Sequence, residues 1–124
     1  MIDRKEIIDT VNDYDADNIK VGTVGSHSAL DVFDGAVEEG FNTFAACKSG
    51  REKTYTQYFR AKRDFNGNIV RGIVDEASVY SRFDEILHSD NQKKLIDDNV
   101  LFVPNRSFTT YCGIENVENN FKVP

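Results

Sequence analysis

Residues 20–47 read KVGTVGSHSALDVFDGAVEEGFNTFAAC, and within this stretch the hydrophobic period changes twice. Residues 19–24 are a short apolar run that stops at Gly25-Ser26-His27-Ser28, as a strand does on entering a tight turn. From there Ala29, Leu30, Phe33 and Val37 follow a helical repeat. Asp31, Asp34, Glu38 and Glu39 supply the wet side, and Gly40 suits the left-handed residue after a helix end. Residues 41–47 return to a nearly continuous apolar run, the pattern of a parallel strand covered on both faces. The three segments make a β-α-β unit, so the expected fold class is α/β, a mostly parallel sheet with helices on both faces.

Outward from this unit, Asp3 and Glu6 have the spacing of a capping box, with Ile2 and Ile7 placed to close a hydrophobic staple over a first helix. The Asn- and Asp-rich run NDYDADN ends that helix. Beyond the second strand, basic and aromatic residues surround Asn66-Gly67, read as a two-residue hairpin turn. Residues 77–80 are expected as a third core strand, 83–95 as interrupted helix, and NVLFVP at 99–104 as a fourth strand ended by Pro104. The apolar rise in NNFKVP reads as one more strand beginning. Tyr55, Tyr58 and Phe59 read as core or subunit contact rather than a base-stacking platform.

A length of 124 residues predicts one domain, 1–124, and nine Phe with five Tyr give it enough apolar side chain to form a core. The net charge of -6 and pI of about 4.8 leave no basic footprint for nucleic acid or an anionic membrane. Cys47 and Cys112 lie far apart with no metal-ligand spacing, so they read as structural thiols, and no metal site is expected. The start MIDRKEIIDT carries charge at once, and no segment approaches the roughly 20 apolar residues of a membrane span. A cytoplasmic protein is the expectation.

In open α/β sheets, ligands settle beyond the carboxyl ends of the strands. Three such ends carry polar residues: Gly25-Ser26-His27-Ser28, Lys48-Ser49-Gly50-Arg51 and Asn105-Arg106-Ser107. Backbone N–H groups at a helix start favour an anion, and Lys48, Arg51 and Arg106 add charged donors, so a phosphorylated small molecule is the simplest ligand. Each residue also has a plainer reading. His27 and the serines 26, 28 and 107 can serve as helix caps or local hydrogen-bonding groups, and Lys48 and Arg51 can be solvated charges. His88 reads as a surface residue. Gly22-x-x-Gly25 is not a dinucleotide fingerprint, and in GREKT a Glu stands where a P-loop needs Gly. No catalytic triad is legible.

The segments TVGSHSALDVFDGAVEEGF, GREKTY, NVLFVPNRSF and YCGIENVENNFKVP, in this order and spacing, resemble the amino-terminal domain of the archaeal formate-dependent 5-aminoimidazole-4-carboxamide ribonucleotide formylase. The resemblance covers essentially the whole chain. It implies a Rossmann-like pre-ATP-grasp domain of an ATP-grasp ligase of purine (IMP) biosynthesis. In that family ATP phosphorylates formate, and the ribonucleotide amine attacks the resulting formyl phosphate. It further implies that His27 and Ser107 contact the aminoimidazole ribonucleotide; Gly25, Ser26, Lys48 and Arg51 stand beside them as candidate substrate-binding residues from their place at the strand ends alone.

The ATP-grasp domain is absent from these 124 residues, so no cofactor is expected within them. ATP and Mg²⁺ (or Mn²⁺) belong to that missing part, which is the expected partner, and the complete enzyme is expected to be a homo-oligomer. Residues 60–74 are longer than in family members, and no functional residue is carried onto them. Two further readings stay open: a freestanding ribonucleotide-binding or regulatory module without catalysis, and an assembly domain whose sign would be an exposed Phe in NNFKVP.

Overall fold

A computed structural model describes residues 1–26 and 28–124. Its central sheet holds, among the described residues, four strands: β1 (Lys20–Val24), β2 (Asn42–Lys48), β5 (Glu76–Tyr80) and β6 (Val100–Phe102). They lie in the order β5-β2-β1-β6 and every neighbouring pair is parallel. Burial explains why β2 reads as continuous apolar sequence. Successive residues of a strand face opposite sides, and here Phe44 and Ala46 enter one core while Ala45 and Cys47 enter the other.

On one face α2 (Ala29–Glu38) packs Ala29 and Phe33 against Tyr55 and Val74. The other face is covered by a 3₁₀ turn at Phe83–Leu87, α3 (Ser89–Asp97) and α4 (Arg106–Cys112), which bring Phe83, Ile86, Leu95 and Phe108 onto Val24 and Val100. The α/β class with helices on both faces is therefore as expected. Gly40 has φ 86° after α2, the left-handed conformation read from sequence.

The peripheral elements differ more from expectation. Helix α1 (Arg4–Asn12) starts at Asp3, whose carboxylate accepts from the Lys5 N–H, but Glu6 does not return the bond of a capping box. It pairs instead with Lys122 at 3.0 Å, while the Ile2 N–H bonds the Glu118 carbonyl in α5 (Ile114–Asn120). NNFKVP forms no strand. Phe121 and Val123 are buried, and the Phe102 N–H donates to the Pro124 carbonyl at 2.7 Å, so the segment lies along β6. Burial of Phe121 removes the exposed aromatic that the assembly reading required.

A one-turn π-helix, Thr54–Tyr58, precedes the hairpin of β3 (Lys62–Arg63) and β4 (Ile69–Arg71). The π turn buries Tyr55 and leaves Tyr58 and Phe59 exposed. The hairpin loop has three residues rather than two: the Asp64 N–H bonds the Asn68 carbonyl, and the Gly67 N–H bonds the Asp64 carbonyl. Gly67 takes φ 84°, the left-handed residue that closes such a loop. The Asp64 carboxylate accepts from the Asn66 and Asn68 N–H groups and fixes the longer form.

The hairpin is fastened to the sheet by Arg63, whose guanidinium grips Asp75 through Nε at 2.6 Å and Nη2 at 3.0 Å. The same carboxylate accepts from the Thr43 N–H of β2. Asp75→Ala strands both the guanidinium and that N–H, and is expected to cost about 2 kcal/mol in urea unfolding. Asp75→Asn keeps an acceptor for Thr43 and should lose less.

Both cysteines are free thiols in the core. Burial, with a smaller push from Glu52, raises the Cys47 pKa from 9.0 to about 12; burial and then Asp84 raise Cys112 to about 11. A thiol whose folded pKa is raised stabilises the fold fully below its unfolded value and loses that contribution as pH climbs to the folded one. Stability should therefore decline from pH 9.0 towards about 12. At about pH 8 iodoacetamide should label neither cysteine until the chain is unfolded.

Candidate functional site at the reversal of strand order

Numbered by their order along the chain, the sheet strands run third, second, first, fourth, so the order reverses between β1 and β6. Chain leaving β1 turns to α2 on one face and chain leaving β6 turns to α4 on the other, and at the carboxyl ends of such a divergence sheets of this class hold their ligand crevice. Two side chains hold this crevice in shape. The Thr23 hydroxyl donates to the Val103 carbonyl at 2.7 Å. The buried Asn105 amide donates to the Val24 carbonyl at 3.2 Å, while its oxygen accepts from the Phe108 N–H and caps α4.

This frame brings Ser26 and Ser107 together. The Ser26 and Ser107 hydroxyls hydrogen-bond at 3.0 Å, and since one O–H serves the pair, the other is left for a further acceptor. Ser107 is thus not the helix cap, a duty that Asn105 performs. Ser28 occupies the N-cap position of α2 at φ 65° without a side-chain cap hydrogen bond. Gly25 is buried against the Tyr55 ring and the Cys47 sulfur: a Cβ there would lie 2.8 Å from Tyr55 Cε2 and 3.3 Å from Cys47 Sγ. The Tyr55 hydroxyl in turn donates to the Ser26 carbonyl at 3.3 Å and holds the turn in place. His27 lies outside the described residues.

Lys48 occupies a neighbouring hollow of about 200 Å³ with Arg82, Phe83, Asp84 and Tyr111. Its position follows from the sheet, since Lys48 ends β2 opposite Tyr80 of β5 and the Ser49 N–H bonds the Tyr80 carbonyl at 2.7 Å. Tyr111 reaches the hollow from α4, stacked on Phe83 with ring centroids 4.8 Å apart. Ser107 and Tyr111 are four residues apart on α4, hence on one helix face. Arg51 sits on the exposed turn after β2 and is not among the residues lining the hollow; Arg106 and His88 are also exposed.

Larger concavities lie elsewhere. One of about 460 Å³ runs between α3 and the Asn120–Lys122 region, where Gln92 spends its amide on Leu87, Asn120 and Lys122 backbone. Another of about 410 Å³ lies at the amino ends of the strands. Asn105, Tyr55, Arg82 and Tyr111 were not singled out from sequence as site residues. For Asn105, its place directly after NVLFVP and three residues before Phe108 is the signal of a cap.

A family described as "Protein of unknown function (DUF1246)" matches residues 21–124. Relatives include proteins named 5-formaminoimidazole-4-carboxamide-1-(beta)-D-ribofuranosyl 5'-monophosphate synthetase. The one from Methanobrevibacter smithii is 37% identical over 97% of this chain, and the one from Methanopyrus kandleri is 34% identical over 100%. The chain spans only 30% and 31% of their respective lengths. A crystal structure of an IMP biosynthesis protein, PurP, from Thermococcus kodakaraensis superposes with a TM-score of 0.55 at 30% identity. That match covers 81% of this chain and 27% of the other.

Gly25→Ala should drive a methyl group into a Tyr55 ring that cannot retreat, because Phe33 packs edge-on against it at 6.2 Å. The expected loss is about 1–3 kcal/mol by thermal unfolding. The loss should shrink when Tyr55→Leu is introduced beside it, since the two sites are coupled by direct contact.

Proposed function

The chain belongs to the family described as "Protein of unknown function (DUF1246)", and on that premise we propose that it forms the ribonucleotide-binding part of a purine-biosynthesis ligase. The ligase formylates aminoimidazole carboxamide ribonucleotide with ATP and formate. Supporting this are relatives named for synthesis of the formylated ribonucleotide, which share this sequence over nearly its whole length. The observation that carries the reading is the Ser26–Ser107 hydroxyl pair at the reversal of strand order, where an α/β sheet receives its ligand.

The role of these residues is to bind and orient. The Ser26–Ser107 pair offers an O–H, His27 stands next to Ser26 in sequence as a second polar partner, and the Asn105 bridge keeps both sides of the crevice at fixed separation. Correct placement of the amine relative to an activated formyl group accounts for much of such a reaction's rate. ATP and Mg²⁺ or Mn²⁺ belong to the ATP-grasp part of the enzyme, as does the phosphorylation of formate. The complete enzyme works as a homo-oligomer in the cytoplasm. Among the described residues no helix is long and apolar enough to cross a membrane.

Calorimetric titration of the ribonucleotide into the chain and into Ser107→Ala and His27→Ala tests this. Each variant should lose about two- to tenfold in affinity, the effect of one hydrogen bond, with an unchanged Tm. Normal binding by both variants, or no binding by the parent chain, would overturn the assignment.

A further inference from the structure

We propose that the hollow lined by Lys48, Arg82, Phe83, Asp84 and Tyr111 is a phosphate-monoester subsite, which receives the 5'-phosphate while the heterocycle lies toward Ser26 and Ser107. The inference rests on the ribonucleotide reading above and adds an orientation and two residues to it.

Size comes first. At about 200 Å³ the hollow is smaller than the roughly 300–1,000 Å³ of a whole ligand pocket, so it takes one group and not an entire nucleotide. Its chemistry then selects the group. Lys48 is half-buried at the end of β2, yet no described residue accepts a hydrogen bond from its ammonium or pairs with its charge. The Tyr111 hydroxyl likewise meets no described partner, while its ring is held in place by Phe83, which is buried.

Asp84 would repel an anion, but its carboxylate is occupied by Arg82 at 3.0 Å, and that pair leaves the hollow with the net positive charge of Lys48. With Asp84 occupied, the groups left available are the Lys48 ammonium and the Tyr111 hydroxyl, both donors and one of them cationic, and an acceptor-rich anion is the complement.

Direction follows from α4. Ser107 and Tyr111 are four residues, just over one helical turn, apart, about 6 Å along the axis, so a ligand that engages the Ser107 hydroxyl at one end meets the Lys48 hollow only if it extends along the helix. A nucleoside monophosphate does so with its phosphate at Lys48. Bound the other way round, it would put an uncharged heterocycle against an unpaired ammonium.

The test compares aminoimidazole carboxamide ribonucleotide with its riboside, which lacks the phosphate, by calorimetry on the chain and on Lys48→Gln, Lys48→Arg, Tyr111→Phe and Arg71→Gln. The parent chain should prefer the ribonucleotide. Lys48→Gln should lower ribonucleotide affinity about tenfold and leave riboside affinity unchanged; Lys48→Arg should restore most of the difference. Tyr111→Phe should weaken the ribonucleotide alone, and Arg71→Gln, on the exposed hairpin, should change neither. Equal binding of the two ligands, or an unchanged preference in a folded Lys48→Gln, overturns the subsite while the general reading stands. If neither nucleotide nor riboside binds but ribose 5-phosphate does, in a Lys48-dependent manner, the subsite stands and the general reading falls. Absence of binding by all three ligands overturns both.

Discussion

A single side-chain amide, that of Asn105, spans the gap where the sheet reverses its order. Its nitrogen bonds the last carbonyl of β1 and its oxygen caps the first turn of α4. A parallel sheet with helices on opposite faces necessarily separates the chains leaving its first and fourth strands. Each group bonded by this amide also has a local partner, the Val24 carbonyl accepting from the Ser26 N–H at 2.8 Å and the Phe108 N–H reaching the Asn105 carbonyl at 3.1 Å, so what the side chain adds is the long-range tie between the two loops. One residue serves both groups, and the distance between the two polar loops becomes a property of the core.

That tie makes the Ser26–Ser107 contact more than a chance meeting of surface hydroxyls. Ser26 is held from below by the Tyr55 hydroxyl and Ser107 by the helix that Asn105 starts. Tyr55 also fills the space left by Gly25 and packs on Phe33, so the α2 side of the sheet supports the same turn that the α4 side meets. Preorganisation of this kind is what an orienting site needs, because a ligand then spends little of its binding energy on ordering the protein.

Legibility of the sequence tracked how local each cause is. The β-α-β unit was readable because strand and helix periods are written in adjacent residues, from Val24 through Phe33 to Cys47. The π turn was not, because its one buried ring, Tyr55, answers to Gly25 and Phe33 far away in sequence. The Asn-Gly signal located the hairpin but misjudged its loop, since the Asp64 carboxylate captures two N–H groups and favours one residue more. Glu6 had the right spacing for a capping box and chose a distant lysine instead. In the site, Ser107 was found and its neighbour Asn105 passed over as a site residue: a cap is visible in sequence, but a bond to the carbonyl of a strand 81 residues away is not.

The hydrogen bond from Phe102 to Pro124 has a consequence for how this sheet can grow. Edge strands present free N–H and C=O groups that invite another chain to pair with them. On the β6 side that invitation is partly answered: the Phe102 N–H is taken by the Pro124 carbonyl and the Val100 carbonyl accepts from the Tyr14 hydroxyl. On the β5 side the outermost strand carries an exposed Val79 and is two residues longer. Strand addition therefore meets two unlike borders, one of them partly occupied by the chain's own terminal backbone.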